Sequence, residues 1–364
     1  DSLPSRGLGD VYKRQVGPNL PDFWGSMGAS THIAVLAGGF SGEADVSRRS
    51  AAMVMAHMDR TRFTPYLVYI NPDGWWVEQP DSGARTPVDK ETLAYTNAEG
   101  SIVRADLAFV MVHGTPGEDG LLQAHLDLCG IPHTTASTRV MATTFHKGWT
   151  TSLLRDAGIA VAQSVECMPM ETWDESRQSE VVATLGLPCF VKPNESGSSI
   201  GITRVASQDQ LWPAVLEARQ TGTSTVLVEA LLKGREFTCG IVPDGKGGVQ
   251  ALPITEIVSQ NDFFDFAAKY DGESHEITPA SLDDRDVTVL QRQAKTVYQT
   301  LHLQGMARVD MMMEEGREPH VIEINTVPGF SAQSIIPQQA EVAGMDKTAL
   351  ISRLIDDAFR SHQA

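Results

Sequence analysis

Cysteine is scarce in this chain. Cys129, Cys167, Cys189 and Cys239 are scattered and include no CxxC pair. A disulfide framework is not expected at this length, and buried thiols in a reducing compartment are. Positive charge is short too. With 29 Lys and Arg against 46 Asp and Glu, the net charge is −17. That argues against a nucleic-acid partner, which needs a basic surface. Nucleotides remain open, because a few local cations and metal ions outweigh the global field. No apolar run is long enough to span a bilayer, and no basic-then-apolar signal peptide opens the chain. The expectation is therefore a cytoplasmic protein with no membrane partner. A Walker A motif is absent, internal repeats are absent, and Gly38, Gly39 and Gly42 do not fit GxGxxG.

What is present is ordinary globular material. The 364 residues are 41% hydrophobic, enough for two or three domains with sizeable cores. The first 26 residues have no periodicity, and Met27 precedes the first strand. Residues 1–30 are expected to be a disordered or non-native leader. From 31 to about 135, "HIAVLAGG", "TPYLVYI" and "DLAFVMVHG" read as strands alternating with helices. That pattern predicts an α/β domain with a parallel sheet. Residues 78–101 read as a polar surface insertion. "TRVMATTFHKGWTTSLLRDAG" reads as one long helix. The remainder reads as two α+β lobes, 136–230 and 231–364, built on antiparallel sheets, with "PDGKGG" as a hairpin turn and a last helix near 345–361.

Five stretches carry polar or glycine-rich patterns that strands and turns alone do not need. In "ARVDMMM", Arg308 and Asp310 share a strand face, and in "HVIEIN" so do Glu323 and Asn325. Read alone, each strand simply turns a polar face to water. Paired, they gather three oxygen ligands and a guanidinium, a set suited to Mg²⁺ with substrate phosphates. "VKPNESGSSIGI" puts Lys192 on a strand ahead of a Gly/Ser loop whose amides can surround phosphates. "LAGGFSGEADVS" sets Glu43 near a helix start, as a helix-dipole partner or as a holder of a substrate ammonium. "VHGTPGEDG" ends a parallel strand where such sheets bind ligands.

These pieces, in this order, resemble the D-alanine–D-alanine ligases of the ATP-grasp superfamily. The resemblance is carried by "AVLAGGFSGEADVS", "VHGTPGEDGLLQ", "FHKGWTTSLL", "VKPNESGSSIG", "VEALLKGREFT", "DFAAKY", "ARVD" and "EINTVPGFSAQSIIP". It implies a pre-ATP-grasp N-terminal domain, then two lobes that hold ATP between them. The implied reaction phosphorylates one D-alanine carboxylate, and the amine of a second D-alanine attacks the acyl phosphate. Asp310, Glu323 and Asn325 match the ligands of two Mg²⁺ or Mn²⁺ ions. Lys147, Lys192, Ser199 and Lys269 match the residues on the ATP phosphates. Glu229 and Leu232 match those around adenine, and Glu236 the carboxylate on the ribose. Glu43 matches the grip on the first ammonium, with His113 nearby. Ser198 and Tyr270 match its loop partners, Arg308 and the Gly329 N–H the oxyanion stabilisers, and Ser334 the contact to the second carboxylate. A homodimer is also implied. His146 stands where Asp or Asn is usual, Ala44 where a basic residue is frequent, and Ala230 where a charged one is common.

The alternatives are a sister ligase using D-lactate or D-serine, or another ATP-grasp carboxylate–amine ligase. Outside the class stand a nucleotide-binding regulator without turnover and a nicotinamide dehydrogenase.

Overall fold

The computed structural model describes residues 31–79, 83–195, 197, 201–223, 225–259 and 274–363. The expected leader, Ser198, Ser199, Lys269 and Tyr270 lie outside the described residues.

The first sheet is built around β1 (Thr31–Gly38), which runs parallel to β2 (Phe63–Asn71) on one side. On its other side β1 runs parallel to β7 (Leu107–Val110). Its run is apolar throughout because both faces are covered. Ala34 and Leu36 pack with Val68, Ile70 and Leu126. Ile33 and Val35 pack with Val54 of α1 (Ala44–His57) and with Leu350, Ile351, Leu354 and Ile355 of the last helix. Beyond the parallel core, β3 (Gly74–Glu78) and β4 (Arg85–Pro87) extend the sheet antiparallel, so it is mixed. β5 (Tyr95–Thr96) and β6 (Ile102–Val103) form a separate small pair. The stretch read as a surface insertion is therefore partly core. Val88 and Leu93 are buried, and the Tyr66 hydroxyl donates to Leu93 O at 2.6 Å. Helix α2 (Leu121–Leu128) follows.

The single long helix expected next is two helices, α3 (Thr138–Phe145) and α4 (Lys147–Asp156). His146 between them is extended, at φ −90° and ψ 100°. Its Nδ1 accepts from Trp149 N at 3.2 Å, which gives the second helix its own N-cap. The break makes Lys147 the first residue of α4.

The second sheet has the order β10-β9-β11-β8. Its strands are β8 (Ser164–Cys167), β9 (Cys189–Pro193), β10 (Thr203–Val205) and β11 (Val226–Ala230). Helices α5 (Glu175–Leu185) and α6 (Leu211–Arg219) cover it through Val181, Leu211 and Val215.

The third sheet contains β12 (Arg235–Pro243), β13 (Val249–Ala251) and β14 (Thr255–Ser259). It also contains β15 (Ser274–Ile277), β16 (Ala307–Met313) and β17 (His320–Asn325). All its described pairings are antiparallel, and "PDGKGG" closes the β12–β13 hairpin as expected. Helix α7 (Asp284–Thr300) packs on it through Leu290, Ala294 and Val297. The sheets are joined by the short crossing 231–234. Gly234 has φ +123°, and a Cβ there would lie 2.4 Å from Met313 O, so no other residue fits without displacement.

Helices α8 (Ile335–Val342) and α9 (Lys347–Gln363) end the described chain. The sequence reading does not anticipate α8, because Pro337 lies inside it. That proline is in the first turn, where its missing N–H has no intrahelical partner to lose.

Candidate active site

β16 and β17 pair antiparallel, with Arg308 opposite Asn325 and Asp310 opposite Glu323. The four polar side chains thus project from one face, as the alternation predicts. The Arg308 guanidinium grips Asp310 bidentately, Nε to Oδ1 at 2.8 Å and a terminal nitrogen to Oδ2 at 2.7 Å. Thr238 Oγ1 donates to the same carboxylate at 2.5 Å. Burial works against the charge on Arg308, but Asp310, Glu323 and Glu276 outweigh it and hold its pKa above the ordinary arginine value. Glu323 in turn pairs with Lys147 Nζ at 3.0 Å. Two carboxylates that would otherwise repel one another are each neutralised by a cation of the chain.

Lys147 owes its position to a buried polar cluster whose members are far apart in the sequence. Asn194 Oδ1 accepts from Gly148 N at 2.7 Å, and Asn194 O accepts from Lys147 N at 3.1 Å. The Asn194 amide donates to Glu166 at 2.7 Å and to Thr225 at 3.0 Å. His146, whose Nδ1 serves as the cap acceptor, keeps its proton on Nε2, which faces Thr225 and Glu166. These partners are local in space and remote in sequence. The His146 substitution is accommodated because an imidazole can cap a helix and still donate a hydrogen bond.

On the second sheet, Lys192 and Glu229 form a close ion pair and are both buried. Leu232 is half-buried in the crossing to the third sheet, and Glu236 sits on β12 opposite Met312.

The first sheet supplies the other wall. Glu43 occupies the N-cap position of α1. A Cβ on Gly197 would fall 2.7 Å from Glu43 Oε2, so the Gly197 backbone lies directly against that carboxylate. A Cβ on Gly114 would come within 3.3 Å of the same oxygen. His113 is buried, with Nδ1 2.7 Å from Val327 O and Nε2 3.2 Å from Ser50 Oγ. Burial holds its pKa below the ordinary value, against the pull of Glu43.

Nothing in the sequence alone sets Glu118 apart from the other acidic residues. Its carboxylate accepts from Gly114 N at 2.7 Å and from Val327 N at 3.3 Å. Burial, then the neighbouring Glu43, pushes its pKa up to about 7. Gly329 and Ser334 are adjacent: a Cβ on Gly329 would stand 3.0 Å from Ser334 Oγ, which also accepts from Ser331 N at 2.9 Å.

The third sheet's face of paired carboxylates and a carboxamide meets Lys147, which Asn194 ties to the end of β9 in the second sheet, where Lys192 and Glu229 are paired. That arrangement defines an ATP-grasp ligase. Comparison with known proteins narrows the class. Residues 32–136 match the family model for the D-ala D-ala ligase N-terminus, and residues 153–356 that for the D-ala D-ala ligase C-terminus. The chain belongs to the D-alanine–D-alanine ligase family. It is 39% identical over 327 residues to the D-alanine–D-alanine ligase of Phocaeicola vulgatus, covering 90% of this chain and 99% of that one. Among solved structures it resembles the VanG D-Ala:D-Ser ligase from Enterococcus faecalis. The TM-score is 0.81 at 30% identity, over 91% of this chain and 100% of that one. It also resembles the Bacillus anthracis D-alanine–D-alanine ligase complexed with ATP. Here the TM-score is 0.72 at 26% identity, over 92% and 99%.

Proposed function

We propose that this chain joins two D-alanines at the expense of ATP, through a D-alanyl phosphate, to give the dipeptide used in peptidoglycan precursors. The observation that carries the reading is the β16–β17 register, which sets Arg308 and Asp310 opposite Asn325 and Glu323 with Lys147 on Glu323. A nicotinamide dehydrogenase has no use for such a face.

Each residue then has a task its chemistry suits. Lys147 and Lys192 offset phosphate charge, with Ser199 and Lys269 beside them. Glu229, Leu232 and Glu236 surround adenine and ribose. Glu43 takes the ammonium of the first D-alanine, with Ser198 and Tyr270 closing the loop over it and excluding water from the acyl phosphate. Arg308 and the Gly329 N–H stabilise the oxyanion of the tetrahedral intermediate, and Ser334 meets the second carboxylate.

The donor set fits a hard divalent cation. Among the described residues no group of three or more His, Cys, Asp and Glu could hold a metal. Asp310, Glu323 and Asn325 offer oxygen alone, from two carboxylates and a carboxamide, as befits an ion that shares its shell with phosphates. Mg²⁺ or Mn²⁺ held there supplies charge neutralisation for phosphoryl transfer.

No helix among the described residues is long and apolar enough to cross a membrane. A cytoplasmic homodimer completes the reading, and light scattering on the purified chain tests the dimer. The function is tested by phosphate release with ATP, Mg²⁺ and D-alanine, repeated with D-lactate or D-serine as acceptor. D-alanyl-D-alanine as the main product is expected. Turnover with D-lactate alone, or ATP binding without D-alanine-dependent turnover, overturns the proposal.

A further inference from the structure

The turn after β17 does not hang from its own sheet alone. His113 Nδ1 faces Val327 O, which only accepts, so Nδ1 carries the proton. Nε2 of the neutral ring is then an acceptor, and the Ser50 hydroxyl donates to it. Ser50 Oγ is thereby free to accept from Phe330 N at 3.0 Å. On the other side, Val327 N donates to Glu118, whose second oxygen is held by Gly114 N. Val327 N also reaches Asn325 Oδ1 at 3.2 Å.

Ser50, His113, Val327 and Phe330 are all buried, so these bonds are shielded from water. The amides on either side of Pro328-Gly329 are thus claimed by first-sheet side chains. Among the described residues, no acceptor engages the Gly329 N–H that lies between them. Ser50 also lies on α1, the helix whose N-cap position is Glu43. One rigid helix therefore carries the carboxylate assigned to the ammonium and the hydroxyl that anchors the oxyanion turn.

We propose that Ser50 and Glu118 are positioning residues: with His113 they suspend the 327–330 turn from the first sheet and fix the direction of the Gly329 N–H. The proposal rests on the ligase reading for its consequence, though not for its geometry. Neither residue touches substrate in it; each acts through the turn backbone. Helix α1 becomes a ruler between the amine end and the carboxylate end of the first D-alanine. Such spacing matters because a displacement of about 1 Å costs on the order of 100-fold in rate.

The test uses the full chain as wild type, Ser50→Ala, Ser50→Thr and Glu118→Gln. Hydrogen–deuterium exchange of peptides spanning 326–331 is followed alongside steady-state kinetics. Ser50→Ala should speed exchange across the turn by about tenfold. It should lower kcat roughly 10- to 100-fold, with the KM for ATP within about twofold of wild type. Ser50→Thr keeps the hydroxyl and should recover most of kcat. Glu118→Gln retains one acceptor and should move both readouts in the same direction by less, and it decides the matter if Ser50→Ala does not fold. Unchanged exchange in the variants overturns the suspension. A loosened turn with wild-type kcat, or a rise in ATP KM that matches the fall in kcat, overturns its catalytic role. A wild-type chain that makes no dipeptide would sink the ligase reading, and the exchange measurements would still decide the suspension.

Discussion

Glu323 holds two relationships that a single substitution separates. It faces Asp310 across the strand pair and it pairs with Lys147. Glu323→Gln keeps the shape and removes the charge. Turnover should fall at least about 100-fold, since charge stabilisation dominates phosphoryl transfer. Circular dichroism and melting temperature should stay near wild type. Glu118 makes a pH-dependent prediction. Its pKa is about 7 in the folded chain against an ordinary 4.5. Between those values the native state keeps a proton that the unfolded chain releases, so this group makes stability fall as pH rises through the window. Glu118→Gln has no proton to lose. Urea unfolding at pH 5, 6 and 7 should find the stability of the variant relative to wild type increasing with pH, by at most about 1.4 kcal/mol per unit. At this scale the sequence was informative where polar residues interrupted apolar strands, as with Asp310 and Glu323. It was silent on Glu118, Ser50, Asn194 and Glu166. Their partners are remote in sequence, and a buried serine in a helix looks like an exposed one until the neighbours are known. Ser47 and Ser50 lie on the buried face of α1, and Ser47 bridges Gly38 N and Met111 O.

Among the elements, β1, β2, β7, β9, β10, β11, β12, β16 and β17 are legible from apolar runs and turn residues, as is the β12–β13 turn; β3 and β4 border or lie in a stretch that reads as a polar insertion, and β8 and β15 are four-residue strands without an apolar run. The break at His146 is not legible either. Helical spacing runs through both halves, and Gly148, two residues past the break, lies inside α4 and does not mark its boundary. The cap is an imidazole nitrogen, which sequence rules do not list with Ser, Asp and Asn. His146→Ala should lower stability by about 1 kcal/mol, as loss of an N-cap does. It should also raise the KM for ATP several-fold by loosening Lys147, while His146→Asn restores both. The crossing at Gly234 gives a second test. Gly234→Ala must relieve both a positive φ and the approach to Met313 O, and thermal unfolding should register a loss of roughly 1–3 kcal/mol.

Over the whole molecule, the cores do not follow the order of the sheets along the chain. Helix α9 follows the third sheet in the chain but also closes the first: Arg353 donates to Pro243 O at the end of β12, and the helix's apolar face shares one core with Val242 and Leu252 as well as with Ile33, Val35 and Val54. Arg62 and Asp356 add an ion pair across the same contact, 2.6 Å apart. Composition and periodicity identify α9 as amphipathic without saying which sheet it covers. A chain ending at residue 346 would expose the groups that Leu350, Ile351, Leu354 and Ile355 bury. At about 1.5–3 kcal/mol per side chain, that loss is comparable to the whole stability of an ordinary domain, about 5–15 kcal/mol. The shortened chain should bind a hydrophobic dye and lack a cooperative melt, even though every strand of the first sheet is intact.

The same packing bears on the order in which the molecule is made. The strands of the first sheet leave the ribosome early, and the helix that helps cover one face of them follows every other described element. Until α9 is translated, the face formed by Ile33, Val35, Leu107 and Phe109 lacks part of its cover. An early-folding N-terminal domain is the usual course for long chains. Here the first core stays incomplete until α9 has followed, so part of its apolar face remains available to chaperones while the intervening segments are made.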